Sequence, residues 1–214
     1  MQLSPKSGPK RPYHHGNLVE TLISATVRIV EERGPEHVSV REVAKIAGVS
    51  PAAPFRHFPT KVALMTAVAE QAMTRLTEAV RAGLETVSND DPLAGIEAIG
   101  QAYLVWAVKN PTHFQIISSR DLIDFHASEK LRSENEAIRL VMRDLFAEAA
   151  RKRLIPDASD LEILSLSARA FVYGLARMFI DGHFPEWHET EQPEISMRKS
   201  LSAYIRQISA REGS

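Results

Sequence analysis

Within residues 39–64, SVREVAKIAGVSPAAPFRHFPTKVAL, lie the side chains best suited to chemistry in this chain, and that chemistry is recognition of a polyanion. Polar and cationic groups (Ser39, Arg41, Ser50, Arg56, His57, Lys61) are interspersed with small or rigid residues (Pro51, Ala52, Ala53) and one aromatic ring, Phe55. Lys and Arg hold phosphates, and Arg can read a guanine edge. Short side chains let a backbone come close to base edges, with methyl contacts to thymine. Nothing comparable points to catalysis. The sequence has no Gly-rich phosphate loop, no nucleophile elbow and no His–carboxylate pair at useful spacing, so no enzyme is expected. His14 and His15 are adjacent and diverge, while His183, His188, Glu189 and Glu191 form only a loose cluster, so neither a metal nor a cofactor is expected. The chain has no cysteine, which excludes disulfides, thiolate metal sites and a catalytic thiol.

The elements that must position the run at 39–64 follow from its spacing. Ser39 with Glu42 makes a capping box, so a helix is expected to begin at Val40. Val40, Val43, Ala44 and Ala47 share one face of it. Gly48 supplies the left-handed conformation that ends that helix. Ser50 then caps a second helix with Pro51 at its first position. Two short helices crossed over a Gly-bearing turn form a helix-turn-helix, and the early residues of the second, Pro51 to Arg56, are expected at base edges in the major groove. Lys61 falls near the start of the next helix, where free N–H groups favour a phosphate. Phe58 reads as core of the small domain; Phe55 reads equally as core or as a contact. Charge agrees with this placement. Residues 1–61 hold nine Lys/Arg against five acids (+4), and the remainder holds 17 against 22 (−5), within a net charge of −1.

The rest of the 214 residues reads as helices over 16–33, 59–87, 92–109, 111–119, 128–153, 159–181 and 194–210, the break at Asn110-Pro111 being enforced by the proline. Ser159 with Glu162 is a second capping box. The fold class expected is all-α: a three-helix head and a six-helix body. The domain expectation is a flexible basic arm at 1–15, a helix-turn-helix domain at 16–62, and a body at 63–214. The arm (Lys6, Lys10, Arg11) reads equally as a minor-groove contact or a solvated tail. The N-terminus has no apolar h-region, and no run approaches ~18 uninterrupted apolar residues, so no membrane partner is expected and a reducing cytoplasm suits the chain.

The head resembles the DNA-binding signature of the TetR family of transcriptional regulators. The matching residues are Ser39-Val40, Glu42-Val43-Ala44, Ala47-Gly48-Val49-Ser50, Phe55, His57-Phe58, and Lys61 with Leu64. The wording SPAAPFRHF is most similar to a subgroup whose C-terminal domain carries Trp-His-Gly. Here the matching place reads Val172-Tyr173-Gly174, so that subgroup's ligand habits are not carried over. Many members have Gly and Thr in place of Ala52 and Ala53, and Tyr in place of Phe55, whose ring lacks the hydroxyl that often bonds a phosphate. The resemblance implies that Ser50, Phe55, His57 and Lys61 lie on or near the backbone of double-stranded operator DNA. It also implies a homodimer in which helices 159–181 and 194–210 pair with their symmetry mates, and a small organic effector in the body. Residues available for that effector are Tyr103, Trp106, His113, Phe114, Arg120, Phe146, Phe171 and Arg177, each of which taken singly reads more readily as ordinary helical core. The function expected is a ligand-responsive repressor; a ligand-independent DNA-binding regulator or an activator of the same fold is the alternative.

Overall fold

A computed structural model describes residues 18–88, 90–156, 160–187 and 191–209. The basic arm at 1–15, with His14 and His15, and the residues Ser159, His188 and Glu189 lie outside them. Among the described residues every regular element is helical: α1 Leu18–Arg33, α2 Val40–Ile46, α3 Lys61–Leu84, α4 Pro92–Lys109, α5 Pro111–Ser118, α6 Glu129–Arg151, α7 Leu161–Ile180, α8 Phe184–Trp187 and α9 Pro193–Ile208, with 3-10 turns at Pro35–His37 and Pro54–Arg56. The chain divides into two compact units between Leu64 and Met65, inside the first turn of α3.

In the first unit, α1 buries Leu22, Ile29 and Val30 on one stripe, and α2 meets it with Val40, Val43 and Ala44. The Ser39 hydroxyl accepts from the Glu42 N–H at 3.1 Å, the expected N-cap. The Glu42 carboxylate turns instead to Arg33 at 3.2 Å. Gly48 has φ 67°; its N–H reaches the Lys45 carbonyl (3.2 Å) and the Val49 N–H reaches Ala44 (3.0 Å), the two bonds of a Schellman stop. A side chain at φ 67° is strained, so Gly48→Ala is expected to destabilise the head by about 1 kcal/mol, read from the midpoint of a urea curve.

The expected second helix is where the structure departs from the sequence reading. Residues 51–53 form a turn, closed by the Ala53 N–H to Ser50 at 3.0 Å, and only Pro54–Arg56 is helical, as one 3-10 turn. Pro54 is the reason. It has no N–H to give the Ser50 carbonyl, and its ring occupies the space that carbonyl would need in an α-helix. A single α-type bond follows, from the Phe58 N–H to Pro54 at 2.8 Å. Pro54 and Phe58 are both buried and pin the turn to the unit.

In the second unit, α4 is the central element, packed by α6, α7 and α9 and buried along Ile96, Ile99, Tyr103, Leu104, Trp106 and Ala107. Gly100 lets α9 come close: a Cβ there would stand 2.7 Å from Leu201 Cδ2. From Thr66 onward α3 is tied to the loop between α5 and α6. Thr66 Oγ1 accepts from the Asp124 N–H (3.0 Å), and Glu70 accepts from the Ser128 hydroxyl (2.7 Å). The observed cap of α7 is Asp160, whose carboxylate accepts from Glu162 and Ile163 N–H groups at 3.0 and 3.2 Å. The stretch expected as loop at 182–193 contains the one-turn helix α8, anchored by buried Phe184. By length and mean hydropathy (1.4), α7 is long and apolar enough to cross a membrane; Glu162, Arg169 and Arg177 interrupt it.

Candidate nucleic-acid interface and body cavities

The head exposes cations that have no acidic partner among the described residues. Arg41 and Lys45 are four residues apart on α2 and therefore neighbours, and both are exposed. Ser39, Ser50, Pro51, Ala52, Arg56 and His57 are exposed, Phe55 is 43% exposed, and Ala53 is half-buried. Lys61 is half-buried, and its ammonium donates to the Glu36 carbonyl at 3.3 Å. Thr60 caps α3 beside it, accepting from the Ala63 N–H at 3.0 Å. The other described arginines of this unit are neutralised locally, Arg28 by Glu32 (2.7 Å) and Arg33 by Glu42. Arg41, Lys45, Arg56 and Lys61 form no ion pair among the described residues. Unpaired cations beside a small-residue turn are what a phosphate-lined groove requires. Lys45 joins the residues singled out from the sequence; its place one turn after Arg41 was the available signal.

The body holds two adjoining cavities. One, of about 380 Å³, lies among α4, α6, α7 and α9, with walls including Ile96, Ile99, Val172 and Ile205. Arg139 and Glu162 at its edge pair at 3.1 Å, and Arg139 also holds Glu136 at 2.7 Å. The other, of about 300 Å³, is lined by Met73, Leu76, Ile117, Arg120, Ala170 and Tyr173 among others. Tyr103, Leu166 and Arg169 line both. Burial pushes the Tyr103 phenol up to about 12, against the opposing effect of nearby Arg169, so it is a neutral hydrogen-bonding group at physiological pH.

Of the residues considered for a ligand, Tyr103 and Arg120 line these cavities. Phe114 is fully buried behind them, edge-on to Tyr103 (6.2 Å) and stacked on Tyr173 (5.6 Å). Phe146 is fully buried in the core, and Trp106 is buried with an indole N–H that has no partner among the described residues. Phe171 stacks on Tyr204 at 4.6 Å, Arg177 pairs with Asp181 at 2.8 Å, and His113 is half-buried on α5. Arg169, Leu166 and Tyr173 emerge as cavity residues only in three dimensions. They lie on α7, and their meeting with α4 and the segment after α5 depends on packing that no local pattern encodes.

The solvent-facing side of α7, at the rim of these cavities, carries apolar residues beside Glu162 and Arg169. Ile163 is 56% and Leu166 64% exposed, Ala170 is exposed, and a Cβ at Gly174 would meet nothing within 4 Å. On α9, Leu201 and Ile205 are buried within the unit, while Ile195, Tyr204 and Ile208 are half-buried.

Two family models match the chain. That of bacterial regulatory proteins of the tetR family covers residues 22–68, and that of the tetracyclin repressor-like C-terminal domain covers 96–204. The nucleoid occlusion factor SlmA of Idiomarina loihiensis is 24% identical over 196 residues, spanning 87% of this chain and 97% of its own. Among solved structures, a Rhodococcus sp. RHA1 protein of unknown function superposes with a TM-score of 0.78 at 24% identity, covering 94% of this chain and all of its own. A tetR-family regulatory protein from Rhodococcus RHA1 gives 0.70 at 17% identity, covering 91% and 98%. A helical head with a turn at Gly48, a helical body, and models matched across both establish the relationship: the chain belongs to the TetR family of bacterial transcriptional regulators, proteins that bind DNA rather than act as enzymes.

Proposed function

We propose that the protein is a homodimeric repressor acting in the cytoplasm on double-stranded operator DNA and released from it by a small organic effector. Residues 16–62 serve as its DNA-binding domain and 63–214 as its effector-binding and dimerisation domain. The observation that carries the reading is the set of four unpaired cations, Arg41, Lys45, Arg56 and Lys61, beside the exposed turn at Pro51 and Ala52. Ser39, Ser50 and His57 add polar contacts to phosphate, Phe55 packs against the sugar-phosphate backbone, and the methyl groups of Ala52 and Ala53 meet thymine.

The size of the cavities supports an effector there, and the loop between α5 and α6 is bonded to α3. Arg120 sits at the cavity four residues before Asp124, whose backbone N–H bonds Thr66 on α3. An effector that pulls on Arg120 thereby biases α3, and coupling of about 1–3 kcal/mol gives a several-fold to about hundred-fold loss of operator affinity. The exposed apolar face of α7, continued by Ile195, Tyr204 and Ile208 of α9, supports pairing of these two helices with a second copy.

The test is selection of bound duplexes from random DNA, followed by binding at several salt concentrations. Lys61→Ala is expected to weaken all duplexes alike and to lower the salt slope by about 1. Arg56→Ala is expected to relax preference at one position per half-site, by about 1–3 kcal/mol. Binding without salt dependence, or indifference to both changes, overturns the reading. A second reading, a DNA-bound factor that answers to no small molecule, is favoured by the resemblance to a nucleoid occlusion factor. A thermal-shift screen in which no small molecule raises the melting temperature supports it, and an operator upstream of an activated promoter would make the protein an activator.

A further inference from the structure

We propose that the two body cavities together hold one amphipathic monoanion, its carboxylate between Arg120 and Arg169 and its apolar tail along the 380 Å³ cavity. This rests on the effector reading of the same cavities and assigns it a chemical class. The first observation is a charge imbalance. Arg120 and Arg169 both line the smaller cavity, no Asp or Glu does, and neither arginine forms an ion pair among the described residues. Glu162, the acid at the larger cavity, is already engaged by Arg139. Partial desolvation and the neighbouring Arg169 charge, opposed by Tyr173, lower the Arg120 guanidinium from its ordinary value, although the residue is exposed.

The second observation is that Arg120, although exposed, is held in place. Arg120 Nη1 donates to the Ile117 carbonyl at 2.8 Å, and its guanidinium lies 4.1 Å from the Phe125 ring centroid. Arg169 lies 5.9 Å from the Tyr103 ring centroid. One bond and one ring face restrain Arg120 while leaving its other N–H groups for an incoming anion, so little side-chain freedom is lost on binding. A carboxylate relieves the repulsion between the two cations and accepts charge-assisted bonds from both. A neutral head does neither, and a cationic head adds a third like charge. The Tyr103 phenol, lining both cavities, remains protonated and can donate to the same head.

The third observation fixes the tail. Beyond the cavities' shared residues the larger cavity is walled by Ile96, Ile99, Val172, Leu201 and Ile205. Volumes of about 380 and 300 Å³ lie within the range of small-molecule sites, and a charged head at one end of an apolar chamber selects a molecule polar at one end only.

The test uses the full chain and three probes of equal chain length, decanoate, 1-decanol and decylammonium, titrated below micelle formation by calorimetry. Decanoate is expected to bind at least about tenfold more tightly than decanol, and decylammonium more weakly than either. Arg120→Gln and Arg169→Gln are each expected to reduce decanoate binding about tenfold, and the double variant to bind decanoate no better than decanol. Equal binding of decanoate and decanol, preference retained in the double variant, or no decanoate binding overturns the proposal. If the variants fail to fold by circular dichroism, the comparison of probes on the unaltered protein decides alone. Operator release, followed separately by fluorescence anisotropy of a labelled duplex, isolates the effector reading. Arginine-dependent decanoate binding without release upholds the anion site and refutes that reading; release by decanol at equal potency does the reverse.

Discussion

A carboxylate at both Ile163 and Leu166 is expected to leave the protein monomeric and to remove nearly all operator binding. These side chains are 56% and 64% exposed on α7, at the rim of the body cavities, so the Ile163→Glu/Leu166→Glu variant is expected to keep its helicity. In a two-fold pairing through this face each contributes twice, and every fully buried Ile or Leu is worth about 1.5–3 kcal/mol. Glutamate forfeits that gain and sets like charges against one another in a site from which water is excluded. A single head reads only a few base pairs, and two heads about one helical turn apart read both half-sites together. Losing the pairing is therefore expected to lower affinity by more than about a hundredfold, since the second head no longer binds at high effective concentration. Sedimentation velocity and duplex titration measure the two effects. A variant that remains dimeric would show that the α7 face is not the interface.

The largest expected effect on stability is at Phe114. Its ring is fully buried, edge-on to Tyr103 at 6.2 Å and stacked on Tyr173 at 5.6 Å. Phe114→Ala removes both ring contacts and leaves a void, and such truncations cost about 3–5 kcal/mol. That is a large share of the about 5–15 kcal/mol that holds a typical domain together. Urea denaturation is expected to show the loss as a lower midpoint for the body. The tyrosines it supports both line the smaller cavity, so the variant is also expected to bind decanoate less tightly at temperatures where it remains folded. A loss below about 1 kcal/mol would mean that neighbouring side chains close the void.

Much of the architecture was legible because local chemistry decides it. Ser39 caps α2, Gly48 stops it with a positive φ, and the Asn110-Pro111 break separates α4 from α5. The misreading at Pro51–Phe58 has an equally local cause. Pro51 suits a first helical position, but Pro54 three residues on denies the Ser50 carbonyl its bond, and that effect outweighs the cap. At α7 the cap is Asp160, one residue beyond Ser159; both are good capping residues, and adjacent candidates cannot be ranked without the backbone. The cavities were least legible. An apolar stripe says that a residue is covered, not by what. Leu201 and Ile205 resemble an exposed seam in the sequence yet fill the body's own core against α4, whereas Ile163 and Leu166, equally apolar, stay uncovered. Arg169 sits among apolar residues of α7, and only the fold brings it to Arg120 across a cavity.

Pro54, which displaces the expected helix, and Pro51 before it have a kinetic consequence. With φ locked at Pro51 and Pro54, the segment offered to the duplex has few alternative shapes even when free. It surrenders little chain freedom on docking, so no slow ordering step is expected to follow encounter. Association is then governed by diffusion and by long-range attraction between the unpaired cations and the phosphate backbone, with a rate that falls as ionic strength rises.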